Sequence, residues 1–431
     1  MAGQRNTIFI GLSSFEILAM FRRGLFYAYL TIYLRHFLGL SVTATTLFAT
    51  LPMVVNILSQ SLIWGRVSDR YQLRRSLIIL GELLAALGTV LVWYLHRTTD
   101  AKPVAGSILI FGLTAVEFFW SMSNISWSAL IADLYPQQDR SRVQGRLTSM
   151  GGLGRIAGIW VGGLVYDGFG MHFSGWGFYH GALFFVAAGI MTASTLPLLL
   201  LPEGGIRPTQ QIARTLPNPS DASRTPHPAT RTFLIFLAAM TLINFGRNSI
   251  AIIFPQYLSA TPGPALDSRE LSYILNTQSF AIILFGWWVG GLCRKLGTRT
   301  LLVSASGSAV TAMVILAWAT SVPAIYIASF LRGIADATIM AAAYEIAAGL
   351  IPPARRARLF AWFNATFFLS WGLPGTLMAG PLVDALISKG TAEAAAYRIS
   401  FAAAGAMTAA GLIFLSVVFM RAQGRARPVT P

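Results

Sequence analysis

The sequence predicts an all-α membrane protein of twelve transmembrane helices arranged as two pseudo-symmetric six-helix bundles. Three observations carry this: a shortage of charge, apolar runs recurring along the whole chain, and an internal repeat. Of the 431 residues, 55% are hydrophobic and only 11% charged, and the mean hydropathy is +0.62. A soluble domain carries about 25% charged residues, so most of this surface must face lipid. The apolar runs approach ~20 residues, the length that crosses the hydrocarbon core as helix. They are too long for barrel strands and lack the alternation a barrel requires.

Spans are expected near 7–35, 42–63, 76–95, 105–133, 147–167 and 178–201, then near 232–258, 269–292, 301–320, 323–351, 359–387 and 398–420. Between the sixth and seventh lies a polar stretch with prolines at 202, 208, 217, 219, 226 and 228. It reads as an extended linker. The chain therefore divides into a bundle at 1–201, a linker at 202–231 and a second bundle at 232–431.

The formal net charge is +16, but the basic residues sit in short clusters between apolar runs. With the N-terminus in the cytoplasm, twenty-one of the 32 lysines and arginines fall in cytoplasmic segments and six on the opposite side. Such an asymmetry sets membrane orientation. It places both termini and the linker in the cytoplasm and excludes a nucleic-acid-binding stripe. The expected location is a bacterial inner membrane, or an organelle membrane derived from it. Cys293 is the only cysteine, which excludes a disulfide framework and a cysteine metal site. The first apolar run contains Glu16, Arg22 and Arg23 and does not read as a cleavable signal.

The two halves echo each other. Gly65-Arg-Val-Ser-Asp69-Arg70-Tyr-Gln72-Leu-Arg74-Arg75 follows the second span, and Gly290-Gly-Leu-Cys-Arg294-Lys295-Leu-Gly297 follows the eighth, 225 residues later. Pro136-Gln-Gln-Asp-Arg140-Ser-Arg142 follows the fourth span, and Pro352-Pro-Ala-Arg-Arg356-Ala-Arg358 follows the tenth, 216 residues later. Gly65 to Arg75 resembles the signature loop of the major facilitator superfamily: a glycine, Asp-Arg four residues on, then a basic pair. Gln72 stands where a glycine is usual, and Arg294 replaces the acidic residue of the second copy. The resemblance implies a central cavity between the halves, alternating access, and a cytoplasmic gate built on Gly65, Asp69, Arg70, Arg74, Arg75, Arg140 and Arg142. Asp69 would either cap a helix N-terminus or pair with these arginines. Topology alone accounts equally well for the arginines. Gly151, Gly152, Gly154, Gly158, Gly162 and Gly163 in the fifth span resemble the glycine-rich helix of drug:proton antiporters. The proline usual in that motif is missing, and close helix packing by small residues is the preferred reading of these glycines.

Charges inside the spans are the informative part, because a charge at mid-bilayer costs roughly 2.5–3.5 kcal/mol on insertion scales. Aligning Ile32-Tyr33-Leu34 with Gln256-Tyr257-Leu258 places Arg247 on Arg23, at an offset of 224. The first helix of each half thus carries an arginine near mid-span. Guanidinium forks suit carboxylate or phosphate oxygens, and the arrangement is similar to that of organophosphate:phosphate antiporters. Arg23 and Arg247 are therefore candidate anion ligands, with Tyr27, Asn124 and Asn244 as cavity wall. The competing reading pairs them with local acids such as Glu16, and Arg22 competes with Arg23 for the inward position. Glu117, Trp120 and Asn124 share one face of the fourth span. Arg332 and Asp336 are spaced as an i, i+4 pair. Glu117 or Glu345 could carry a coupling proton; alternatively Glu117 forms a buried pair with Arg155.

Phosphate-binding, zinc-protease and nucleophile-elbow motifs are missing, and no cofactor or metal is expected. His36, His96, His172 and His180 lie near outer span ends and read as solvated. The leading function is secondary active transport, by a monomer, of a small anionic solute against a coupling proton or counter-anion. Three alternatives stay open. The first is iron transport, because Arg22 to Tyr27, Leu38 to Ser41 and Thr46 to Pro52 together resemble the permeases of magnetosome membranes. The second is drug/proton antiport. The third is a non-transporting sensor or scaffold, which mid-membrane charges argue against.

Overall fold

The computed structural model describes residues 2–135, 137–205, 228–318, 320–351 and 356–424; within these, the side chains of 2–5, 137–142, 228–231, 356–358, 361 and 418–424 lie outside the description. Arg140 and Arg142, expected in the gate, are therefore outside the described side chains, as is most of the linker.

Each expected span falls on a helix. In the first half these are α1 (Ala2–Ile32, continued by a π-helical turn at Tyr33–Phe37), α2 (Val42–Tyr71), α3 (Arg75–Arg97), α4 (Lys102–Leu134), α5 (Gln137–Tyr166) and α6 (Ala182–Leu198). The second half holds α7 (Thr232–Ser259, interrupted at 249–252), α8 (Ser268–Leu296), α9 (Thr298–Trp318), α10 (Val322–Leu350), α11 (Arg356–Ser388) and α12 (Glu393–Gly424). Eight of these are long and apolar enough to cross a membrane unaided, among the described residues. The others have visible reasons for falling short. Glu16, Arg22 and Arg23 interrupt α1, α5 carries Arg155 and a polar N-terminal third, and α6 has only 17 residues. Helix α11 passes through a 3-10 turn at Leu369–Trp371 just before Pro374, which cannot donate a backbone hydrogen bond.

Helix starts follow local chemistry. Ser41 caps α2, its Oγ accepting from the Ala44 N–H at 3.1 Å. Helices α4 and α10 begin with Pro103 and Pro323 in the first turn, where no N–H is needed.

The chain forms two compact units, Met1–Pro217 with Leu266–Asn276, and Asn218–Ala265 with Thr277–Pro431. In the first, Leu12, Phe15, Ile78, Leu130, Leu147 and Leu198 form a buried core. The start of α8 belongs to this unit: Ser268 Oγ donates to Asp167 at 2.5 Å and Asn276 to the Ile156 carbonyl at 3.2 Å. In the second unit, Phe233, Phe236, Ile243, Leu302, Ile339 and Phe363 play the core role. Apolar side chains gain nothing from leaving lipid for one another, so close packing must hold the helices. The glycines of α5 do this. A Cβ on Gly154 would stand 2.2 Å from the Ile17 carbonyl oxygen, and one on Gly158 2.0 Å from that of Phe21. Helices α1 and α5 therefore touch backbone to backbone.

Candidate functional site

Helix α1 presents Arg22 and Arg23 to the same neighbour. Their guanidinium carbons lie 3.9 and 4.5 Å from the centre of the Trp120 ring on α4. Arg22 is only 6% exposed. Its Nε and Nη2, and Nε of Arg23, are buried without a hydrogen-bond partner. A π face attracts a cation but gives these three nitrogens no oxygen acceptor. Arg23 Nη1 reaches only the Met20 thioether sulfur, at 3.9 Å, so the Arg22 guanidinium is the less satisfied of the two.

Trp120 is itself fixed. Its indole Nε1 donates to Glu82 Oε1 at 2.8 Å, and Ser123 Oγ donates to the same oxygen at 2.8 Å. Glu82, on α3, is 2% exposed. One turn before Trp120, Glu117 accepts from Asn56 on α2, and Gln60 Nε2 donates to Asn56 Oδ1 at 2.6 Å. Ser59 and Ser121, 2.6 Å apart, tie α2 to α4 below them. Arg22, Phe26, Tyr27, Phe48, Glu117 and Trp120 line a cavity of about 30 Å³ within this unit. A buried water needs roughly 10–15 Å³, so the space suits one or two waters or a small anionic head.

The expected residues separate here. Tyr27, Glu117 and Trp120 meet at the cavity. Arg23 stacks beside it, and Asn124 lies half-buried one turn further along α4, outside the lining. Glu16 is buried against Gly151 of α5, and Arg155 is half-buried. Glu117 takes Asn56 as partner. Glu82, Asn56 and Gln60 are members of the site that sequence reasoning misses. A lone acid in an apolar run, as Glu82 is in the third span, is the available signal.

The second unit solves the same problem differently. Arg247 on α7 pairs with Asp336 on α10, and its Nε donates to Asn244 Oδ1 at 3.0 Å. Gln278 Nε2 donates to the other Asp336 oxygen at 2.7 Å. Asn244 continues to Thr366 at 3.3 Å. The i, i+4 pair expected between Arg332 and Asp336 is thus corrected: both Asp336 oxygens are taken up by other helices. Arg332, 8% exposed, lies 4.6 Å from the Phe254 ring centre. Neighbours from α7 and α8 reach Asp336 across the helix packing, and this outweighs proximity along one helix. Glu345 is exposed on α10.

The signature loop joins α2 to α3. Arg74, 5% exposed at its side chain, gathers Asp69 at 3.1 Å, Asp133 of α4 at 3.2 Å and the Ser68 hydroxyl. Asp69 pairs with Arg74 and does not cap a helix. The N-terminus of α3 is capped by Glu203, whose Oε1 accepts from the backbone N–H of Arg74 and Ser76 at 2.9 and 3.0 Å. Glu203 also pairs with Arg75 at 3.4 Å. Its charge thus meets both the helix dipole and a guanidinium. Gln72 occupies the left-handed region at φ 54°, which is why glycine is usual there. Its side chain compensates by donating to the Asp69 carbonyl at 2.6 Å. Arg70 and Asp69 are exposed and Gly65 half-buried. Among the outer histidines, His96 departs from expectation: it is 2% exposed, bonded to the Trp93 carbonyl at 2.6 Å and 3.4 Å from the Tyr33 hydroxyl.

Two helical halves, each setting a mid-span arginine of its first helix against its fourth helix, define a polytopic secondary transporter. The model of the Major Facilitator Superfamily matches residues 12–260 and again 236–431, and the chain belongs to that superfamily. The multi-drug resistance efflux pump PmrA of Streptococcus pneumoniae serotype 4 is 23% identical over 351 residues, covering 80% of this chain and 82% of the pump. A single-site mutant of the nucleoside transporter NupG superposes with a TM-score of 0.74 at 14% identity, covering 96% of this chain and 100% of its own. A bacterial homologue of the iron transporter ferroportin, in an inward-facing state, gives 0.67 at 13% identity, covering 97% and 99%. The chain is a multi-pass membrane protein with a small-molecule substrate.

Proposed function

We propose that this transporter moves a small organic anion bearing a carboxylate or phosphate, read by Arg22 and Arg23 in the first half, with Glu117 carrying the coupling proton. The observation that supports it most is that Nε and Nη2 of Arg22 and Nε of Arg23 are buried without an acceptor, on guanidiniums packed on Trp120 beside a cavity. Burial of such donors is costly unless an anion or water completes them. Arg247 has its own carboxylate in Asp336, so the anion reading rests on the first half, with Arg247 and Asn244 setting the geometry of the second. Aromatic neighbours Phe26, Tyr27 and Phe48 favour a solute with an apolar body over a bare inorganic ion. The Asp69–Arg74–Asp133 lattice serves as the gate of one conformation, at the cytoplasmic ends of the helices, with both termini on that side. The bilayer is that of a bacterial inner membrane.

A second reading, drug/proton antiport, is favoured by the similarity to an efflux pump. In it Glu117 and Glu82 would face a cationic drug. The reading as an iron transporter retains only the fold likeness to the ferroportin homologue. Counterflow in proteoliposomes separates these. Purified protein is loaded and challenged with aromatic carboxylates, organic phosphates, ferric citrate and lipophilic cations. Exchange confined to the organic anions supports the proposal, and exchange confined to lipophilic cations overturns it.

A further inference from the structure

A second cavity, of about 400 Å³, lies in the first unit at the far end of α1, α3 and α4 from the signature loop. Its wall is aromatic. Tyr33 and Phe37 stack at 4.9 Å and 14°, Phe37 and Phe173 at 5.6 Å and 14°, and Tyr179 closes the group at 5.5 Å from Phe37. Two cations stand among these rings. The Arg97 guanidinium lies 3.7 Å from the Tyr179 ring centre, and the Lys102 ammonium 5.4 Å from that of Phe37. Neither has an ion-pair partner among the described residues. Asp100, on the same loop, lines the cavity and leaves the three charges at a net +1.

A separate observation says what approaches. The loop between α5 and α6 exposes Phe169 at 63%, Met171 at 75% and Phe173 at 45%. Next to span ends that also carry Trp93 and Tyr94, such a surface belongs at the level of lipid head groups. An occupant of this place has an acidic head and an apolar body, and the bilayer supplies it.

We infer that this cavity is a binding site for an anionic phospholipid, with its phosphate held by Arg97 and Lys102 and its glycerol and first acyl carbons against Phe37 and Phe173. The site is separate from the cluster around Trp120 and owes nothing to the substrate assigned there. A basic side chain near a membrane surface contributes about fivefold to binding of anionic lipid, so the pair contributes about thirtyfold.

Native mass spectrometry of the delipidated full-length protein tests this. Phosphatidylglycerol and phosphatidylcholine are added in equal amounts, with and without millimolar glycerol phosphate. The expected result is a phosphatidylglycerol adduct favoured at least tenfold, unchanged by glycerol phosphate. The preference should disappear in Arg97→Gln/Lys102→Gln and persist in Arg97→Lys. Because Arg97 packs on Tyr179, thermal unfolding of the lipid-free variants checks that they remain folded, and Lys102→Gln alone, at the rim, should still lose several-fold. Equal adducts of the two lipids, or a preference that survives in the double variant, overturns the site. Displacement by glycerol phosphate overturns the lipid as its occupant.

Discussion

The Arg22 guanidinium carbon stands 3.9 Å from the centre of the Trp120 ring. The 216-residue offset relating Pro136 to Pro352 puts Asp336 at the place Trp120 holds in the first half. One repeat position thus offers a π face to the arginines of α1 and a carboxylate to the arginine of α7. The carboxylate engages the guanidinium of Arg247, whereas the indole leaves Nε and Nη2 of Arg22 and Nε of Arg23 without an acceptor. The two copies differ at this position: a carboxylate stands in the second half where the first has an indole.

Arg22→Lys should reduce apparent affinity for the transported anion about tenfold or more, since a hydrogen bond to an ionised group contributes roughly 1.5–3 kcal/mol and lysine lacks the planar fork. Combining Arg22→Lys with Arg23→Lys should cost less than the sum, because both lean on one ring and one ligand. Apparent KM from counterflow measures this; strictly additive losses would show that the two do not share a ligand.

Arg247→Gln should destabilise the protein, because it leaves Asp336 charged and unpaired. Breaking a fully buried pair costs roughly 3–5 kcal/mol, and the value here should be lower because the Asp336 side chain is 28% exposed. Adding Asp336→Asn should restore much of the loss. Thermal unfolding in detergent reads both, and a double variant no more stable than the single would contradict the pairing.

Glu117→Gln should abolish accumulation driven by a proton gradient and spare counterflow exchange, since the amide can still bond Asn56 but cannot carry a proton. Loss of both processes would make Glu117 a structural or substrate residue instead.

Glu203→Gln weakens the cap of α3 and removes the partner of Arg75. Loss of an N-cap costs about 0.5–2 kcal/mol, so a fall in unfolding temperature of a few degrees is expected. Asp69→Asn, at an exposed position, should instead leave stability unchanged and slow transport. Wild-type transport rates in Asp69→Asn would remove the gate assignment.

Reporter fusions within 206–227 and at the C-terminus should read as cytoplasmic, because the basic residues concentrate on that side. A linker found outside would reverse the orientation.

Apolar length, charge scarcity and the repeated loops determined the twelve helices, the two halves and the family resemblance from sequence alone. These are properties of contiguous residues, and lipid makes them decisive by leaving backbone groups no partner except the helix. The mid-span arginines and Glu117 are legible for the same reason: a charge in an apolar run stands out. Which groups they meet is not. Local spacing suggests Arg332 for Asp336, yet Arg247 and Gln278 reach it from other helices. Asp69 is one candidate for the cap, and Glu203, 134 residues away, holds it. Glu82 and Asn56 matter only because α3 and α2 bring them to Trp120 and Glu117. Periodicity ranks residues along one helix, whereas the rotation of packed helices selects partners across them, and that selection exists only in the tertiary structure.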